Sequence, residues 1–367
     1  MKKLFAFLTI LCIGVLSVSA QDQYWLLLEK GKNLFRDKLY GDALLYFEDA
    51  VRARKDLFAK SYESLIAALS FSEVRSKADD LAAVERVLEE KKLEEAEKIL
   101  AVLYKLVPRD SFGNSVKAVL NKIKALQAYP EGEYWIGEVF RVEGETTIAL
   151  AQYQKALTNK ALFEIPDDAR QLLYRMADLQ SLRREYAGME ESLSRILADD
   201  ELWSDPSRDF TRTAMERTLL NDGLDRFLTL YRHHAPFAYR AHRDLGIYYY
   251  RTGRHDRASR HLMFAFLIAS TIILDELRYN DIEFLFSTFS ESLSAAQKNE
   301  ATKAYMISNE FSMTMYYFAA AQYANGQRKA ANELWRGIPE SLDNGEWRSR
   351  ALRQLKSPFV EPTTPVP

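Results

Sequence analysis

Apolar positions recur three and four residues apart along most of this chain, and the stretch from Arg240 to Ser270 shows the pattern plainly. In RAHRDLGIYYYRTGRHDRASRHLMFAFLIAS, two amphipathic runs meet at Thr252-Gly253. Small residues stand where two helices would have to approach closely: Gly246 in the first run, Ala258 and Ala265 in the second. This spacing predicts an α-helical hairpin. The arrangement recurs in YWLLLEKGKNLFRDKLYGDALLYFEDAV, through Leu27, Gly31, Leu34, Tyr40, Ala43, Phe47 and Ala50. It is clear again at Ile136, Gly137, Phe140, Gly144, Ala149, Tyr153 and Ala156. A last copy places Ala319, Tyr323, Gly326, Ala331 and Trp335 in the same order.

These positions resemble the tetratricopeptide repeat (TPR), a helix-turn-helix unit of about 34 residues that stacks into a solenoid. In that pattern Leu245-Gly246 and Tyr249 belong to the first helix, Gly253 to the turn, and Ala258, Leu262 and Ala265 to the second helix. Lys30 departs from it, sitting where a leucine is usual. Two copies are weaker. One runs through KKLEEAEKILAVLYKLVP with Ala96, Leu100 and a closing Pro108, and the other through LLYRMADLQSLRREYAGMEESLSRIL with Met189 where alanine is usual. Ala43, Ala96 and Ala149 are 53 residues apart, which leaves room for an additional helix per interval, so a uniform ladder is not expected. The resemblance implies an all-α, TPR-like right-handed helical solenoid with irregular extra helices.

Boundaries follow from breaks in the pattern. Residues 1–20 have Lys2 and Lys3, an apolar run from Leu4 to Leu16 and the small-residue end Val18-Ser19-Ala20, which reads as a cleaved signal peptide. An N-terminal array is expected over 21–200. The polar, proline-containing ADDELWSDPSRD then breaks the chain, and a C-terminal array with a capping helix, GEWRSRALRQL, is expected over 207–356. Between Asp281 and Ser312 no repeat matches, although Ile282, Phe284, Leu285, Phe286 and Phe289 would bury one helix face. Residues 357–367, SPFVEPTTPVP, read as a flexible tail.

Composition agrees with a helical chain: 367 residues, 47% hydrophobic, with only 14 glycines and 10 prolines. A formal charge of −2 gives no general attraction to nucleic acid or anionic membrane. The single cysteine, Cys12, lies in the signal segment, so the mature chain would hold no disulfide. Export points to a Gram-negative periplasm, with secretion as second choice. The apolar run Leu262 to Leu274 would cover only about two-thirds of a hydrocarbon core as a helix, so no integral span is expected in the mature chain.

Catalytic motifs are lacking. His242-Arg243-Asp244-Leu245 spells a kinase catalytic-loop tetrapeptide, but no glycine-rich loop or metal-binding aspartate motif accompanies it. There is no GxSxG, P-loop or dinucleotide glycine pattern. Of the five histidines, His255 and His261 are six apart, on different sides of a helix, and surface placement in a basic stretch is expected for the set, with no metal or cofactor.

The resemblance implies a partner-binding groove lined by first helices of the repeats. Its positions here are Arg240, Arg243, Ile247, Tyr250 and Arg251, followed by Tyr316 and Tyr323 with Met313 and Ala320. Guanidinium forks there would suit an acidic or C-terminal peptide. Alternatively, the arginines form a solvated face that pairs with neighbouring repeats. The function expected on this reading is a non-enzymatic protein-protein interaction scaffold of the cell envelope. The alternative is a periplasmic ligand-binding accessory protein that holds a small hydrophobic molecule for a transporter.

Overall fold

The computed structural model describes residues 24–68, 127–339, 342 and 345–363. These residues are all-helical, with no strand among them. The signal segment and the weak repeat around Ala96 lie outside the described residues. The chain divides into two compact units, one ending at Leu172 and the other beginning at Leu173.

The first unit contains α1 (Tyr24–Arg36), α2 (Tyr40–Ala68), α3 (Pro130–Val142), α4 (Thr146–Thr158) and the start of α5 (Pro166–Leu182). Leu28, Ala43, Phe47 and Ala50 from α1 and α2 form one core with Ile136 and Val139 of α3. Trp135 closes it, stacked on Phe47 at 5.7 Å and edge-on to Phe35 at 5.3 Å.

The second unit holds the rest of α5, then α6 (Tyr186–Leu197), a single turn α7 (Glu201–Ser204) and α8 (Asp209–Leu230). Gly223 interrupts α8 with φ 86°, ψ −178°, a conformation that only glycine adopts readily. Then come α9 (Tyr239–Arg251), α10 (His255–Asn280), α11 (Phe289–Lys298), α12 (Glu300–Ser308), α13 (Phe311–Ala324), α14 (Arg328–Gly337) and α15 (Glu346–Lys356).

Among the described residues, five helical hairpins share one turn. In α1–α2, α3–α4, α5–α6, α9–α10 and α13–α14, an amide donates to the carbonyl five residues earlier: Leu39 to Leu34, Glu145 to Phe140, Glu185 to Gln180, Arg254 to Tyr249 and Gln327 to Gln322, at 2.7–2.9 Å. The residue before each donor has positive φ: Lys38 (63°), Gly144 (85°), Arg184 (61°), Gly253 (77°) and Gly326 (80°). This is the Schellman closure, which satisfies carbonyls that a helix end leaves without partners.

The hairpins share a packing register as well. A small residue on the first helix is followed sixteen positions later by a large one on the second: Gly31 and Phe47, Gly137 and Tyr153, Ala177 and Leu193, Gly246 and Leu262, Ala319 and Trp335. All five large side chains are at most 1% exposed. Burying each contributes about 1.5–3 kcal/mol. At the three glycines the helices touch so closely that an added Cβ would stand 2.5 Å from Phe47, Tyr153 or Leu262. Ala43, Ala149 and Ala258, twelve positions after the small residue, are 0% exposed.

One expectation needs correction. The apolar run after Asp281 is not a helix: Ile282 is 93% and Leu285 84% exposed, and only Phe289 is buried. Helix α11 starts at Phe289 because Thr288 and Glu291 form a reciprocal capping box there. The polar segment 198–209 is packed around Asp200, whose carboxylate accepts from the amides of Leu202 and Trp203 and from His233. Its contacts belong to the second unit.

Candidate functional site

The sequence-predicted groove residues all lie in the second unit, on α9 and α13, but the structure sorts them into three environments. Arg240 and Arg243 are held by carboxylates of the chain itself. Arg240 pairs with Asp178 and Asp244 and lies over the Tyr174 ring. Arg243 donates to Asp244 at 2.9 Å and pairs with Glu310 at 2.9 Å, with its side chain 11% exposed. Both are thus paired within the chain, with Asp244 on the same helix and with Asp178 and Glu310 beyond it.

Ile247 and Arg251 line a concave pocket of about 300 Å³ formed by α5, α6 and α9. Asp178, Asp244 and Tyr248 share its wall, with Met189 and Leu193 supplying apolar surface. Tyr186 and Tyr248 stack there at 5.5 Å. Arg251 donates to the Tyr317 hydroxyl at 2.8 Å.

Tyr250, Tyr316 and Tyr323 meet a different neighbour, the segment 357–363 that follows α15. The amide of Glu361 donates to the Tyr250 hydroxyl at 3.1 Å. The Glu361 carboxylate accepts from the Tyr316 hydroxyl at 2.7 Å and from Arg350 at 3.1 Å. Tyr323 donates to the Pro358 carbonyl at 3.3 Å, and the Phe359 amide donates to Gln354 at 2.9 Å. Burial, with the hydrogen bond to Glu361 in the same sense, pushes the Tyr316 phenol up to about 12, which keeps it a donor. Arg350 is clamped over the rings of Tyr316 and Trp347 at 4.9 and 4.7 Å. The seat is thus built from α9, α13 and α15 together.

Sequence reasoning missed Arg350, Gln354 and Trp347, which sit on the predicted capping helix. One signal was present: Ser357 and Glu361 each precede a proline, which favours extended backbone and a segment able to lie along helices.

The histidines were misplaced in part. His234 is exposed, whereas His242, His261 and His233 are 0%, 6% and 8% exposed. The kinase-like tetrapeptide therefore begins with a core residue. His233 Nε2 lies 2.8 Å from Asp200, and the Nδ1 atoms of His242 and His261 are 3.1 Å apart, so one of them donates to the other. Trp203 covers this pair, its ring centroid 4.8 Å from His242 and 4.4 Å from His261. Burial lowers the pKa of both His242 and His261, and keeps them neutral. Burial alone would raise the Asp200 carboxyl, but the hydrogen bond from His233, with His242 Nε2 3.6 Å away, outweighs it and holds the group well below the usual range. No group of three or more His, Cys, Asp or Glu among the described residues could hold a metal ion. No helix among them is long and apolar enough to cross a membrane.

No protein-family model matches this chain. The chain is similar to an uncharacterized protein of Treponema pallidum (strain Nichols), 25% identical over 335 residues, which cover 90% of this chain and 89% of that protein. The similarity therefore runs along nearly the whole of both chains.

Proposed function

We propose that this chain is a TPR-like right-handed helical solenoid, exported by a cleaved signal segment, that serves as a non-enzymatic protein-interaction scaffold of the bacterial cell envelope. The observation that carries this reading is the seating of an extended polypeptide, residues 357–363, across Tyr250, Tyr316 and Tyr323. A surface that satisfies a peptide's amide, carbonyl and carboxylate with side chains from three helices is suited to partner segments. The shared register of the five hairpins supports the repeat architecture, because stacked units of this kind bury core and leave one face for binding. A photo-crosslinking amino acid at Tyr323 or Tyr248 should yield a discrete polypeptide adduct in the periplasm of the native cell. The same reagent at Leu45, 60% exposed on α2, is the control. Absence of adducts, or the same adducts from Leu45, would reject the scaffold.

A second reading rests on the pocket beside Ile247 and Arg251. Its volume of about 300 Å³ stands at the lower bound for small-molecule sites. A ligand-binding accessory protein would carry a stoichiometric small molecule through gentle purification, visible by native mass spectrometry. The charged groups of Asp178, Asp244 and Arg251 in its wall favour a polar molecule over the wholly hydrophobic one expected from sequence.

A further inference from the structure

The segment after α15 is held in an unusual way. Its polar groups are engaged: Glu361 by three partners, Pro358 by Tyr323 and Phe359 by Gln354. Its large apolar side chains are not, since Phe359 is 50% and Val360 43% exposed. A chain segment that folds as part of a core buries its apolar groups first. Here hydrogen bonds anchor Pro358, Phe359 and Glu361 while the apolar contribution is mostly missing. The cationic end of the frame is Arg350, fixed over two aromatic rings and therefore aimed before any ligand arrives. The far end is open backbone at Gly253, whose position for a Cβ lies 3.2 Å from the Thr363 methyl.

We propose that the seat formed by α9, α13 and α15 is a receptor site for an extended partner segment. Such a segment would carry a glutamate directly before a proline and after apolar residues, and residues 357–363 occupy the site as a displaceable internal ligand. This rests on the interaction-scaffold reading and names the partner chemistry of the same site. The resident segment sets the specificity. Arg350 and Tyr316 require a carboxylate, Tyr250 requires a free amide at that residue, and Tyr323 requires a carbonyl three residues earlier. A partner with this frame whose apolar side chains find cover would displace a resident whose own do not. Tethering places the resident at an effective concentration in the millimolar range, so it competes strongly with a free peptide of modest affinity.

The test uses a fluorescently labelled synthetic peptide of residues 357–367 and three full or nearly full chains: wild type, E361K, and a variant ending at Lys356. Thermal unfolding establishes that each is folded. E361K keeps the whole chain and ejects the segment through repulsion by Arg350, so it serves if the shortened variant does not fold. Released variants should bind the peptide saturably, and wild type at least tenfold more weakly. A peptide with lysine in place of its glutamate should lose at least fivefold in affinity for the released variants. Absence of saturable binding to folded E361K, or equal binding to E361K and wild type, would overturn the proposal. Concentration-dependent dimerisation of wild type that E361K abolishes would instead give the seat to a second copy, and would also overturn it. Peptide binding needs no envelope partner. Failure of the crosslinking experiment with success here would therefore remove the scaffold and leave the seat.

Discussion

Alanine at Gly246 should destabilise the protein even though alanine is the better helix former. The new Cβ would stand 2.5 Å from Leu262 Cγ, 3.0 Å from its Cδ2 and 3.2 Å from its backbone nitrogen. Leu262 is 0% exposed and has no space to move into, while its nitrogen is fixed in the ladder of α10. Overpacking of this kind costs about 1–3 kcal/mol, and relief of a mid-helix glycine offsets up to about 1 kcal/mol of that. The expected net loss is about 1–2 kcal/mol, a fall in Tm of roughly 2–4 °C for each kcal/mol in a unit of this size. Gly41 is the paired control: it lies in α2 with nothing within 4 Å of the added Cβ, so alanine there should be neutral or stabilising by up to about 1 kcal/mol. Urea unfolding followed by circular dichroism measures both. Leu262→Ala alone should cost about 2–5 kcal/mol. In its background Gly246→Ala should lose most of its penalty, because the methyl enters the space vacated. If Gly246→Ala proves as stable as wild type, or the two penalties simply add, the small-to-large contact is not what spaces α9 and α10.

Arg184 holds a left-handed conformation with φ 61° at a turn where three other hairpins use glycine, so Arg184→Gly should stabilise by about 0.5–1 kcal/mol, measured by the same unfolding assay. Stability should fall as pH drops from 7 toward 5, through His242 and His261. Burial lowers both folded pKa values, so their contribution is complete above the unfolded value near 6.5 and is lost as pH falls toward the folded values, where only the unfolded chain takes up protons. His261→Gln should flatten the slope of Tm against pH in that window, and an unchanged slope would show that other groups carry it. Arg243→Ala should cost about 1–2 kcal/mol by removing pairs with Asp244 and Glu310, less than a fully buried pair because Asp244 keeps Arg240 and Glu310 is half exposed. Arg251→Ala, which removes one hydrogen bond to Tyr317 at an exposed position, should cost less than about 1 kcal/mol in the same measurement.

Much of the hairpin geometry was legible because it depends on residue size at fixed intervals. Gly31, Gly137 and Gly246 marked the close contacts, and Gly144, Gly253 and Gly326 marked turns that need positive φ. The turns at Lys38 and Arg184 carried no such mark, since a long side chain there is tolerated at an energetic cost and leaves no compositional trace. The buried histidines were read as surface residues for a related reason. Periodicity places His242 and His261 on helices, but their burial depends on Asp200 and Trp203, which come from a segment more than thirty residues away that reads as a polar break. A buried polar network is invisible when its partners are distant in sequence, because each member alone resembles solvent-facing chain.

The arginines of α9 were legible in position, but the charge around them was not. Counting arginines near α9 gave a cationic surface, yet a count along the chain omits the acids that other helices bring. Asp178 from α5 and Glu310, just before α13, neutralise Arg240 and Arg243 together with Asp244. The guanidinium that meets the Glu361 carboxylate of segment 357–363 is instead Arg350, on a helix predicted only to cover an exposed end. That placement has a physical logic. Helix α15 packs against α13 and α14 with Ala351 buried, so its polar edge borders Tyr316 and can supply charge there. Tyr316 and Tyr323, expected as an apolar aromatic wall, act as hydroxyl donors to Glu361 and Pro358 for the same reason: their rings fill the packed side while the hydroxyls reach the rim. At this rim phenols and one stacked arginine meet the backbone and the carboxylate of residues 358–361, and the packed rings beneath set where those groups stand.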